Sequence, residues 1–176
     1  GFTAKITGID YYRFTNSPIT KFKIKRGRTA REFSLIEPDI IFSEWHSWDD
    51  VKNIPNGHRT GLYIIARFDE KPNGPARPDV KEIIYIGETH GKEQNIHKRL
   101  TTFFKAARVG GGMHKHSGGN RFNRTIGKDL SNMYAAGFSP IFDNVEAINP
   151  FIFYAERKLI WAYVQKFGHI PVCNGY

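Results

Sequence analysis

The sequence predicts an α+β (mixed α/β) protein in which a small central antiparallel β-sheet is flanked by helices. Two strand-like segments lie close together, helical periodicity follows them, and glycines and prolines separate these elements. A length of 176 residues and a hydrophobic fraction of 40% fit one folded domain with a sizeable core. No run of about 18 apolar residues is present, so we expect neither a membrane span nor a membrane partner.

The predicted sheet centres on a strand–loop–strand unit. Residues 60–68 and 81–87 are rich in aromatic and β-branched residues, and a long loop containing prolines and a glycine joins them. We expect them to pair as an antiparallel hairpin. Residues 138–148 are also expected to be extended, which gives the sheet a further strand.

Helices are predicted around this unit. Residues 95–108 have apolar side chains at helical spacing and precede three consecutive glycines, and residues 122–136 form a second predicted helix that Gly137 closes. A third runs from Asn149, the expected cap, to Phe167. The expected element order is therefore β-β-α-α-β-α.

Residues 1–59 form an N-terminal extension to the core of residues 60–176, and we expect both to belong to one domain. Residues 21–25 alternate basic and apolar side chains, which predicts a half-buried strand with its lysines on one side, ending at a Gly27 turn. A short helix is predicted to start at Ser47 and to stop before Pro55.

The charge distribution favours a nucleic-acid partner. The formal net charge is +9 and the pI about 9.7, and residues 94–128 contain no Asp or Glu. A solvated face would explain one such region, but two acid-poor regions favour contact with phosphates. The residues expected to make it are Lys21, Lys23, Lys25, Arg26, Arg28, Lys98, Lys105, Arg108, Lys115, Arg121 and Arg124.

Cys173 is the only cysteine of the chain. A single thiol excludes an intramolecular disulfide and a zinc site built from cysteines. The sequence therefore predicts a reducing compartment, either the cytoplasm or the nucleoid.

Glu156 is the first residue that points to chemistry. Ile160 and Tyr163 follow it at helical spacing, so the carboxylate is expected on an apolar stripe. A buried carboxylate needs a cation, a metal or strong hydrogen-bond donors. An ion pair with Arg157 or Lys158 and a metal site both remain open.

Tyr63 and Tyr85 lie in the two strands of the predicted hairpin, each two residues from a glycine. Adjacent strands can bring both hydroxyls to one end of the sheet if the register matches. Ordinary sheet packing is the alternative for any strand tyrosine. Arg99, on the following helix, is by itself one of many basic residues.

Together these residues resemble the GIY-YIG nuclease superfamily. The resemblance covers residues 60–174 and leaves residues 1–59 outside it, and Leu62 stands where the family name has Ile. Its motifs, in chain order, are Gly61-Leu62-Tyr63, Tyr85-Ile86-Gly87, Arg99, Glu156 and Asn174.

The resemblance implies a metal-dependent endonuclease that hydrolyses phosphodiester bonds in double-stranded DNA. Glu156 would hold Mg²⁺ or Mn²⁺, and Arg99 would stabilise the phosphate. Tyr63 would act on the attacking water as a base or through its hydroxyl, with Tyr85 bonded to the water or phosphate. Asn174 would fix the geometry of the site.

The resemblance departs from the family in one place. Many members carry a histidine one turn after the motif arginine, and here Phe103 occupies that position. Proton transfer could then involve His97, His114, His116 or no histidine at all.

Several readings remain open. A restriction-type enzyme is one, and a structure-selective repair or recombination nuclease is another. A catalytically silent nucleic-acid-binding module and a metal-independent RNA-binding protein are the non-enzymatic alternatives. A double-strand cut at a palindrome would imply a homodimer.

Overall fold

A computed structural model describes residues 38–90, 93–111 and 114–175 in full, and the backbone of four strands within residues 5–36. The chain divides into two compact units, Gly1–Asp39 and Ile40–Tyr176.

The first unit contains an antiparallel sheet whose strands follow the order of the chain. The prediction of a strand at residues 21–25 is confirmed. The predicted turn at Gly27, Arg28 and the direction of the lysine side chains lie outside the described residues. The strands are β1 (Lys5–Ile6), β2 (Ile9–Tyr11), β3 (Ile19–Arg26) and β4 (Thr29–Ile36).

The second unit confirms the α+β prediction, with a four-stranded antiparallel sheet in the order β5-β8-β6-β7. Its strands are β5 (His46–Ser47), β6 (Gly61–Arg67), β7 (Ile83–Thr89) and β8 (Met133–Phe138). Its helices are α1 (Ile96–Val109), α2 (Ser117–Thr125) and α3 (Ile148–Phe167). The predicted antiparallel hairpin is therefore strands β6 and β7.

Helices cover both faces of this sheet. Leu100 of α1 and Phe122 of α2 pack with one face, and Ile152 and Tyr163 of α3 pack with the other. Six of the seven β6 residues are buried, because the strand has neighbours on both sides and helices on both faces.

Two predictions for residues 122–148 are wrong. The second helix is residues 117–125, and residues 133–138 form strand β8 rather than the end of that helix. The predicted extended segment 138–148 instead ends in a 3-10 turn at Val145–Ala147. Methionine and alanines favour a helix in residues 133–136, but pairing with β6 along the full strand overrides that propensity.

The helix predicted to start at Ser47 is also wrong. Ser47 pairs with Tyr134 of β8, and only a 3-10 turn, Val51–Asn53, forms before Pro55. Helix α3 begins at Ile148, so Asn149 lies in its first turn and is not its cap. None of the helices built from the described residues is long and apolar enough to cross a bilayer.

Candidate active site

The register of β6 and β7 brings two tyrosines together on one face of the sheet. Tyr63 pairs with Gly87, and Ile65 pairs with Tyr85, so both aromatic side chains point toward α1 and α2. Their ring centroids are 5.9 Å apart. A Cβ at Gly87 would lie 2.5 Å from the Tyr85 ring and 2.7 Å from the Tyr63 ring, so only glycine leaves room for this pair.

His116, at the start of α2, packs against Tyr63 and Tyr85. We call these three side chains the aromatic wall. Its Nε2 lies 2.9 Å from the Tyr63 hydroxyl, and its Nδ1 accepts a hydrogen bond from the Gly119 N–H at 3.3 Å. Burial, and then the charge of Arg99, lower the pKa of His116 to about 3, so the ring is neutral. A neutral imidazole has one N–H, and with Nδ1 accepting it must be Nε2 that donates to Tyr63.

Tyr63 is fully buried, with 0% of its surface exposed. Burial raises its pKa well above the ordinary value, the neighbouring Tyr85 adds to the rise, and Arg99 opposes it. Tyr63 therefore keeps its proton. Its oxygen accepts from His116, and its side-chain hydrogen bond with Tyr85 raises the pKa of Tyr63 and lowers that of Tyr85, as expected when the Tyr63 O–H donates to Tyr85.

Arg99 connects the aromatic wall to an open cleft of about 220 Å³. It lies on the first turns of α1, whose Asn95 cap accepts from the Lys98 N–H. Its charge opposes the burial that raises the pKa of Tyr63 and Tyr85. The cleft is lined by Glu88, Thr89, His90, Gln94 and Arg99.

Glu88 and His90 were not predicted as site residues. The His90 Nδ1 lies 2.8 Å and 3.1 Å from the two Glu88 carboxylate oxygens, and its ring packs on Phe153 at 4.6 Å. Thr89, between them, is buried, and its hydroxyl has no hydrogen-bond partner among the described residues. Glu88 could have been found from the sequence, because its carboxylate directly follows Tyr85-Ile86-Gly87 near the end of strand β7.

Glu156 of α3 lies near the hydrogen-bonded pair Glu88 and His90. Its side chain is 13% exposed, and Arg157 Nε is 3.6 Å from its carboxylate. Burial raises the pKa of Glu156, the Arg157 charge opposes this, and Glu88 raises it further. Glu156 in turn raises the pKa of Tyr85, which places its charge close to the aromatic wall. The prediction of a carboxylate beside an apolar helix stripe is confirmed.

Asn174 lies along the free edge of β7. Its Oδ1 accepts from the Ile86 N–H at 2.8 Å, and its Nδ2 donates to the Ile86 carbonyl at 2.6 Å. The Cys173 N–H donates to the Ile84 carbonyl at 2.8 Å. The segment therefore continues the hydrogen bonding of the sheet and fixes the strand that carries Tyr85.

The other two histidines named for proton transfer lie elsewhere. His97 donates through Nε2 to the Ile54 carbonyl at 3.1 Å and covers Gly57, where a Cβ would overlap the ring. His114 contributes its carbonyl, which accepts from the Asn120 side chain and from the His116 N–H. Of the three, only His116 contacts a predicted catalytic residue.

The basic residues predicted to bind nucleic acid are spread over the described surface. Five of them are exposed, namely Lys98, Lys105, Arg108, Lys115 and Arg124. Arg121 is half-buried against Gly175 and adjoins Cys173, whose pKa burial raises to about 12. The remaining members, Lys21, Lys23, Lys25 and Arg26, lie on β3, where only the backbone is described.

The described residues contain no group of three or more His, Cys, Asp and Glu side chains that could hold a metal ion. Burial and the charge of Glu88 both raise the pKa of Glu156, and a bound cation would offset both effects. Glu156 fits a hard divalent ion that takes its other ligands from water and phosphate oxygen. Comparison of the chain with protein families, curated proteins and solved structures finds no match.

Proposed function

We propose that this chain is a metal-dependent endonuclease that hydrolyses phosphodiester bonds in double-stranded DNA, as its resemblance to the GIY-YIG superfamily implies. One observation carries the proposal: Tyr63, Tyr85, Arg99 and Glu156 come from four different elements and lie close enough to interact. The charge of Arg99 acts on the pKa of both tyrosines, that of Glu156 acts on Tyr85, and Arg99 also lines an open cleft. A protein that only binds nucleic acid has no need of this arrangement.

Arg99 is proposed to hold the scissile phosphate. Its guanidinium offers several N–H donors in a fixed fork, which matches phosphate oxygens better than a single ammonium does. It lines the open cleft, so a phosphate can reach it from solvent. Charge that develops on the phosphate in the transition state would be stabilised there.

Tyr63 is proposed to act through its hydroxyl. Burial raises its pKa, which opposes a role as a free base. The His116 N–H fixes the Tyr63 oxygen, and Tyr63 has no exposed surface, so its hydroxyl is proposed to position Tyr85 rather than to touch the substrate. Tyr85, which is 8% exposed, would make the hydrogen bond to the attacking water or the phosphate.

Glu156 would hold the divalent metal, Mg²⁺ or Mn²⁺, which would supply positive charge at the reacting phosphate when bound. Glu88 and His90 line the cleft at Arg99 and are proposed to orient the water and phosphate there. Asn174 positions β7, and through it Tyr85, by its two hydrogen bonds to Ile86.

Duplex binding is proposed to come from the exposed lysines and arginines of residues 98–124 and from β3. Phosphate contacts give affinity without sequence preference, so restriction-type recognition would need further contacts to base edges. A structure-selective repair or recombination enzyme is the alternative. Either activity places the protein in the cytoplasm or at the nucleoid, and a palindromic double-strand cut would require a homodimer.

The test is to incubate the protein with supercoiled plasmid, genomic DNA and branched duplexes, with Mg²⁺ or with EDTA. Glu156→Ala should abolish cleavage, whereas Glu70→Ala, at an exposed loop carboxylate, should cut like the wild type. Discrete fragments would identify a sequence-specific enzyme, and nicks or branch-dependent cuts a structure-selective one. Tight binding with no cut in any substrate would overturn the proposal in favour of a silent binding module.

A further inference from the structure

A second cleft, of about 360 Å³, opens on the other side of α1. Trp48, Val51 and Phe104 supply apolar surface to it, and Lys52, Lys105 and Arg108 supply positive charge. Lys105 and Arg108 follow Arg99 by six and nine residues, so they leave the helix on roughly the opposite side. The two clefts are separated by about the width of one helix, 10–12 Å.

The residues that line this cleft indicate which class of ligand it can bind. Trp48 is half-buried and packs against the core while it also lines the cleft, so its ring is held in place. Lys105 and Arg108 make no ion pair with any described residue, and the one acid in the lining, Asp49, accepts a hydrogen bond from Ser47 at 2.7 Å. A fixed aromatic ring beside unpaired cations suits a ligand with a flat apolar ring and a phosphate.

The size of the cleft agrees with one such unit. A volume of about 360 Å³ lies at the small end of the range for pockets that bind small molecules, about 300–1,000 Å³. A base paired and stacked inside a duplex cannot present its flat face to a side chain, so the unit must be unstacked.

We propose that the cleft between Trp48 and Arg108 binds a nucleotide of an unstacked DNA strand, with the base on Trp48 and the phosphates on Lys52, Lys105 and Arg108. This inference rests on the proposed function in taking DNA as the partner. It gives the protein a second site, which binds single-stranded DNA, besides the proposed phosphate site at Arg99. Unstacked bases arise at strand ends, mismatches and branches, so the site would favour such substrates.

The test uses tryptophan fluorescence, because the chain has only three tryptophans. An oligothymidylate of about eight nucleotides is titrated in EDTA into the wild type, Trp48→Leu and Trp161→Leu. Trp161, 61% exposed on α3, is the matched control. Quenching should persist in Trp161→Leu and disappear in Trp48→Leu. The anisotropy of a dye-labelled oligothymidylate should show an affinity for Trp48→Leu lower by about 10- to 100-fold, as expected for one lost stacking contact.

A second variant tests the same inference in case Trp48→Leu does not fold. Replacing exposed Lys105 and Arg108 by glutamine should reduce the slope of log affinity against log salt by about 1.4, or about 0.7 for each lost charge. Oligothymidylate that binds Trp48→Leu as tightly as the wild type would overturn the inference and leave a general polyanion surface. If the wild type cuts plasmid but never binds the oligonucleotide, the second site fails while the nuclease proposal stands.

Discussion

The candidate active site has two unlike halves. The dry half consists of Tyr63, Tyr85 and His116, which are exposed by 0%, 8% and 1%. The charged half consists of Glu88, His90 and Glu156, whose side chains are exposed by 17%, 51% and 13%. In the dry half burial keeps Tyr63 and His116 neutral, whereas in the charged half the charge of Glu88 raises the pKa of Glu156.

The two halves differ in what they do: the dry half holds its side chains in fixed positions, and the charged half contains the ionisable carboxylates. Tyr63 and His116 fix each other by a hydrogen bond inside a packed aromatic cluster, so the dry half is held in one geometry before any ligand binds. The charged half contains the groups that can attract a cation. Arg99 is shared by both halves, because it acts on the pKa of the tyrosines and also lines the open cleft.

Removing Arg99 should break the link between the halves and gives the largest expected effect. Arg99→Gln should lower the cleavage rate by about 10²–10³-fold, the loss expected when a preorganised donor to the transition state is removed. Arg99→Lys should recover only part of this, because it restores the charge without the fork. Single-turnover cleavage of plasmid measures the loss, and unchanged rates in both variants would remove Arg99 from the site.

A pH titration of folding should sharpen the description of the dry half. Folding lowers the pKa of His116 from 6.5 to about 3, so its stabilisation is complete above pH 6.5 and is lost as the pH falls. The share lost between pH 6.5 and pH 4 is about 3 kcal/mol, at about 1.4 kcal/mol per pKa unit.

His116→Asn removes this titration while an amide oxygen still caps α2. The difference in unfolding free energy between wild type and variant, from urea melts at several pH values, should therefore shrink as the pH falls. His58→Asn, at an exposed histidine, is the control and should track the wild type at every pH. A constant difference would mean that His116 is neither dry nor neutral.

The smallest effect is expected in the charged half. Folding raises the pKa of Glu156 above its ordinary 4.5, so its carboxylate destabilises the fold once the pH exceeds that value. Glu156→Gln should raise the Tm at pH 7, because burial penalises the carboxylate but not the neutral amide. Calorimetry at pH 4 should find no gain. A lower Tm at pH 7 would show that the carboxylate is satisfied by partners in the fold.

The difference between the halves also explains what the sequence could predict. Tyr63 and Tyr85 were found because strand pattern and motif spacing agree, and the structure supplied the register of β6 and β7 that brings them together. Glu156 was found through helical spacing, and Arg99 only through its place in the order of the motifs. These signals are local and periodic, and that is the information a single sequence carries well.

The other features of the site and the fold depend on tertiary contacts that leave no periodic pattern in the sequence. His116 could not be chosen among three histidines, because helix α2 was expected to start five residues after its true first residue, Ser117. The Glu88–His90 pair joins residues two apart at the end of a strand, a spacing without a regular signature. Strand β8 was taken for a helix because its alanines are buried by pairing with β6, which only tertiary structure reveals.

The two hydrogen bonds of Asn174 have a consequence beyond the active site. Strand β7 lies at the edge of its sheet, and an uncovered edge offers backbone groups to which another polypeptide can add as a strand. The Asn174 amide occupies the N–H and carbonyl of Ile86, as a neighbouring strand would. The Asn174 side chain thus holds the strand that carries Tyr85 and also blocks the addition of another strand at Ile86. We therefore expect an Asn174 variant to self-associate as well as to lose activity.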